Sequence, residues 1–110
     1  MTDFRISAFY HFVPLDDYTA LREPLLDVAR AAGIRGSILL ASEGVNGTIA
    51  GTRAGVERVL AHLRADPRLT GLVEKASFAE RMPFGRLKVR LKKEIVSLGV
   101  AGIDPRKAVG

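Results

Sequence analysis

The hydrophobic period of this chain alternates between two and about 3.6 residues in the order strand, helix, strand, strand, helix, strand, strand, and that order leaves few folds open. Residues 5–13 alternate Ile6, Ala8, Tyr10 and Phe12 with Arg5, Ser7, Phe9 and His11. This predicts a strand whose apolar face is the first set, stopped by Pro14. A helix follows, with Asp16 or Asp17 as its cap, Tyr18, Leu21, Leu25, Val28, Ala29 and Ala32 on its apolar stripe, and Gly33 as its stop. Pro24 lies inside that stripe; it lacks a backbone donor and crowds the preceding turn, so a kink or a break into two short helices is expected. Residues 34–42 and 48–50 are β-compatible, and Glu43-Gly44-Val45-Asn46-Gly47 between them carries an Asn-Gly turn signal, which predicts a hairpin. Thr52 caps a second helix with Val56, Val59, Leu60 and Leu63 inward and Arg53, Glu57, Arg58 and Arg64 outward, ended by Asp66-Pro67. Residues 72–78 read as a fourth strand and 86–96 as a fifth.

The order βαββαβ plus one strand matches the split βαβ plan of ferredoxin-like α+β folds. It implies an antiparallel sheet with both helices on one face and an additional C-terminal basic strand. A mixed α/β sheet of other connectivity also stays open, because periodicity gives elements and not strand order. Residues 1–98 form one domain in this reading, and the glycines, Pro105 and basic residues of 99–110 form a linker or tail. With 47% apolar but only 6% aromatic residues, the core is expected to be aliphatic. The chain has no cysteine, which excludes disulfides, thiolate metal sites and a cysteine nucleophile within it and fits a reducing cytoplasm. Its start has no basic n-region with an apolar h-region, and no segment approaches the roughly 20 apolar residues of a membrane span, so a soluble, cytoplasmic protein is expected.

Charge is concentrated in one place. Six of the 17 lysines and arginines (Arg81, Arg86, Lys88, Arg90, Lys92 and Lys93) fall in residues 81–93, where there is no acid, while the other 11 face all 12 acids. Within the stretch Arg86, Lys88, Arg90 and Lys92 alternate with Leu87, Val89 and Leu91. A strand puts the aliphatics on a core and the four cations in one outward row, about 6.6 Å apart and about 20 Å long. Such a row can meet several phosphates of a folded RNA. The same residues on an edge strand would also discourage edge-to-edge pairing.

Gly44-Val45-Asn46-Gly47-Thr48-Ile49-Ala50-Gly51, with Met82-Pro83-Phe84 and Lys88-Val89-Arg90-Leu91-Lys92-Lys93-Glu94-Ile95-Val96, resembles a specific family: the amino-terminal, acylphosphatase-like domain of the rhodanese-containing tRNA uridine hydroxylases. Leu21-Arg22-Glu23-Pro24-Leu25-Leu26 and Arg64-Ala65-Asp66-Pro67-Arg68-Leu69 extend the likeness over nearly the whole chain. The resemblance implies a cytoplasmic enzyme that uses molecular oxygen to hydroxylate carbon 5 of the wobble uridine, with tRNA as partner. It also implies a following rhodanese domain that supplies the active-site cysteine, and makes the six cations of residues 81–93 candidate nucleic-acid contacts. No catalytic residue, cofactor site or metal site can be carried onto this chain, which on this reading is a fragment. The remaining alternative is a non-enzymatic ferredoxin-like module that docks a protein partner.

Weaker candidates complete the reading. Glu43-Gly44-Val45-Asn46-Gly47-Thr48 could form an anion nest, although a plain tight turn explains it as well. Ser7, Phe9 and His11 could lie on an open sheet face and Phe9 could stack a base. His11 and His62 each lack a second ligand at metal spacing. Acylphosphatase activity is not expected, because Pro14-Leu15-Asp16-Asp17-Tyr18 follows strand one where a phosphate loop ending in arginine would be needed.

Overall fold

The computed structural model describes residues 3–92. Its elements are β1 (Phe4–Phe12), α1 (Tyr18–Ala31), β2 (Arg35–Ala41), β3 (Gly44–Gly51), α2 (Arg53–Arg64), a 3-10 turn (Pro67–Leu69), β4 (Val73–Ala79) and β5 (Leu87–Lys92). The sheet order is β4-β1-β3-β2-β5. The first four strands pair antiparallel, as the ferredoxin-like plan requires. β5 joins β2 in parallel, from Gly36↔Leu87 to Ala41↔Lys92, so the whole sheet is mixed. The expected continuation of β5 to residue 96 and the tail at 99–110 lie outside the described residues.

Both helices cover one face, α1 against β2 and β5, α2 against β1 and β3. Strand residues Phe9, Ile38, Leu40, Val45, Ile49 and Val89 meet the helix residues Leu25, Ala29, Val56, Val59 and Leu63 there. Each large aliphatic side chain so buried stabilises the fold by about 1.5–3 kcal/mol. The second helix follows its stripe closely: Thr52 accepts the Gly55 N–H at 3.0 Å, and Val56, Val59, Leu60 and Leu63 are all buried. In α1, Gly33 stops the helix with φ of 71°, yet the helix runs unbroken through Pro24. Burial of Leu25, Leu26 and Ala29 directly after it offsets the roughly 3 kcal/mol that an interior proline costs. Asp17 occupies the cap position without capping; its carboxylate is held by Arg68 Nη1 at 2.7 Å.

Two expectations are corrected. The hairpin turns at Ser42 and Glu43, with Ala41↔Gly44 as the closing pair, and Asn46-Gly47 lies in mid-strand between Tyr10-Phe9 and Leu39-Ile38. Gly44 has φ of 144°, and an added Cβ would collide with the His11 carbonyl oxygen. The faces of β1 are also the reverse of those predicted. Ser7 and Phe9 are 0% and 2% exposed beneath the helices, whereas Tyr10 and Phe12 are 48% and 58% exposed on the other side. Gly47 makes this possible: it sits opposite Phe9, and a Cβ there would come within 2.9 Å of Phe9 Cζ. The ring fills the space that the missing side chain leaves.

Candidate nucleic-acid interface

Alternation on β5 buries Val89 under α1 and turns Lys88, Arg90 and Lys92 to the open face of the sheet. Arg86 precedes the strand and is positioned by its carbonyl, which accepts the Gly36 N–H at 2.9 Å. All four cations are exposed, and among the described residues none is paired with a carboxylate. Neighbouring charges about 6.6 Å apart repel by roughly 0.6 kcal/mol in water, a cost that a polyanion laid along them would relieve. The outer edge of β5 is held separately: Arg22 Nε on α1 donates to the Val89 carbonyl at 2.8 Å.

Register carries the row across the sheet. Arg90 aligns with Leu39, Asn46, Tyr10 and Val73, and Lys88 with Ser37, Thr48, Ala8 and Lys75. Between the cations of β5 and Lys75 on the far edge lies a trough of about 720 Å³ with Ala8, Ser37 and Thr48 among its lining residues. Phe84 adds to its wall. This residue belongs to the 80–86 connection, which runs from β4 at one edge of the sheet to β5 at the other.

Arg5 and Arg68, on other elements, are engaged. Arg5 Nη2 donates to both Glu74 carboxylate oxygens at 2.9 and 2.8 Å, and Nη1 reaches Glu57 at 3.2 Å. Burial raises the Glu74 pKa, but the Arg5 hydrogen bond and the Arg5 and Arg64 charges together hold it below the ordinary value. Arg68 bridges Asp17 and Asp66 at 2.7 Å each. Its side-chain and backbone hydrogen bonds lower the Asp66 carboxyl to about 2.

Of the residues singled out in the sequence, Arg86, Lys88, Arg90 and Lys92 come together. Arg81 is exposed on the β4–β5 connection, outside the row, and Lys93 lies outside the described residues. The proposed nest at 43–48 is largely strand, its backbone engaged in the β1–β3–β2 ladder. Phe9, buried, cannot stack a base. Among the described residues no three His, Asp or Glu side chains gather at a metal-sized site. After β1, the N–H groups of Val13 and Leu15 are bonded to the Glu43 and Ser42 carbonyls, and Asp17 adds negative charge, an arrangement unsuited to cradling phosphate. No helix of the described residues is long and apolar enough to cross a membrane. Sequence reasoning missed Tyr10, Asn46 and Lys75; the alternation of β1 marked Tyr10, but only register sets it beside the others.

The family described as UPF0176 acylphosphatase like domain matches residues 4–95. A tRNA uridine(34) hydroxylase of Gluconobacter oxydans (strain 621H) is 58% identical over 106 residues, covering 96% of this chain and 34% of that protein. A tRNA uridine(34) hydroxylase of Albidiferax ferrireducens is 54% identical over 110 residues, again 34% of its length. The chain thus spans about a third of these relatives. Among solved structures, BlrB, a BLUF protein in its dark state, superposes with a TM-score of 0.61 at 22% identity, over 89% of this chain and 79% of its own, a likeness of fold alone.

Proposed function

From the premise that this chain belongs to the UPF0176 acylphosphatase like domain family, we propose that it is the amino-terminal domain of a tRNA uridine(34) hydroxylase and docks tRNA on the open face of its sheet. The names of its relatives support the first half. The second rests on one observation, the row Arg86, Lys88, Arg90 and Lys92, which among the described residues has no carboxylate partner and lies on a face that no helix covers. Hydroxylation itself would belong to a following rhodanese domain with its own cysteine, using molecular oxygen in the cytoplasm. This chain contributes affinity and orientation. Exposed Phe12 and Val73 favour a second reading, in which the same face docks a protein and the cations only keep β5 unpaired.

A tRNA titration across a salt series separates the two. If the four cations neutralise four phosphates, log affinity falls against log salt with a slope of roughly −2.8 on unpaired or −3.6 on duplex segments. An Arg86→Glu, Lys88→Glu, Arg90→Glu variant loses most of that slope. Absent or salt-insensitive binding by the folded parent chain would remove tRNA docking from this domain.

A further inference from the structure

We infer that the open face takes an unpaired stretch of RNA, with one base stacked on Tyr10 and its edge read by Asn46, while the flanking phosphates lie on Lys88 and Arg90. The inference rests on the docking reading above and adds what kind of RNA structure is bound.

A cation row alone does not choose between duplex and single strand, since both present phosphates. The neighbours of the row do. Tyr10 is 48% exposed on the inner strand β1, and the Phe12 ring lies beside it at 5.8 Å between centroids. An exposed aromatic on an open sheet face offers a π-surface that a duplex, whose bases are already stacked, cannot use. Asn46 stands directly across from Tyr10, and its side-chain amide bonds no described residue. Its carbonyl and NH₂ together can pair with a base edge. From Tyr10 to Arg90 is three strand spacings, about 14 Å. A chain crossing the strands can thus leave a base at Tyr10 and carry its phosphates to β5. Charge complementarity selects the occupant: Lys88, Arg90 and Lys75 surround the trough, and none has an acidic partner among the described residues.

The test uses the 110-residue chain with a ten-nucleotide oligouridylate and a blunt RNA duplex of equal phosphate count. Tyr10 and Tyr18 are the only tyrosines and there is no tryptophan, so stacking on Tyr10 is read directly as quenched tyrosine fluorescence in the unmodified protein. The oligouridylate should quench and the duplex should not. Tyr10→Ala should weaken oligouridylate binding about 5- to 100-fold with duplex affinity unchanged, and Tyr10→Phe should retain binding. Melting curves check that the variants fold, as a half-exposed position allows. If oligouridylate binds without quenching and Tyr10→Ala stays within twofold of the parent, the stacking site is refuted while tRNA docking survives. If the folded parent binds neither RNA, the docking reading fails with it.

Discussion

Two groups of cations in this small domain have opposite surroundings. Arg5 and Arg68 are each gripped by two carboxylates, at distances between 2.7 and 3.2 Å. Arg86, Lys88, Arg90 and Lys92 are exposed and have no carboxylate partner among the described residues. The first group ties elements together: Arg5 joins β1 to β4 and α2, and Arg68 joins the 3-10 turn to the start of α1. Their charge is internally neutralised. The second contributes nothing visible to cohesion and sets four positive charges along one edge of the open face. Partnering, and not residue type, separates cations that hold the fold from cations available to a ligand.

Glu74 is the residue on which the first group depends most. Glu74→Ala leaves Arg5, whose side chain is only 16% exposed, without its main partner. Stability measured by urea unfolding should fall by about 3 kcal/mol, near the low end for breaking a buried pair, while tRNA affinity of the folded protein stays at the parent value. Reversing the other group should do the opposite. At 0.1 M salt the Arg86→Glu, Lys88→Glu, Arg90→Glu variant should bind tRNA more than about 100-fold more weakly, with an unchanged melting temperature. A smaller change sharpens the picture: Lys92→Ala should cost roughly 5- to 8-fold at 0.1 M salt and flatten the salt slope by about 0.7 to 0.9.

The smallest effect is in pH. Asp66 has its carboxyl lowered to about 2 by the hydrogen bonds of Arg68, so its contribution is complete above the unfolded value near 4 and is lost as pH falls through about 2. In thermal melts the parent should exceed Asp66→Asn from pH 7 down to about 5. That margin should then shrink between about pH 4 and 2. A constant margin over this range would mean that Arg68 does not stabilise through the ionised Asp66.

Much of this was legible beforehand. The stripe of α2, the Thr52 cap, the Gly33 stop and the alternation of residues 86–92 are local patterns, and each reappears in place. Other features could not be read locally. Asn46-Gly47 is a strong turn signal, but Gly47 is needed in mid-strand to admit Phe9, a contact between residues far apart in sequence. Asp17 is a plausible cap until Arg68, more than fifty residues away, draws its carboxylate aside. Pro24 predicts a break until the core beneath it is counted.

Element order, helix faces and the gathering of positive charge are properties of the chain read one residue after another and need no tertiary contact to be recognised. The sequence could also divide β1 into two sets of side chains. It could not say which set the helices would cover, because a period of two is unchanged when the faces are exchanged. Only packing broke that symmetry: Phe9 went down over Gly47, Tyr10 came up beside Asn46, and parallel pairing to β2 brought the cations of β5 onto the same face.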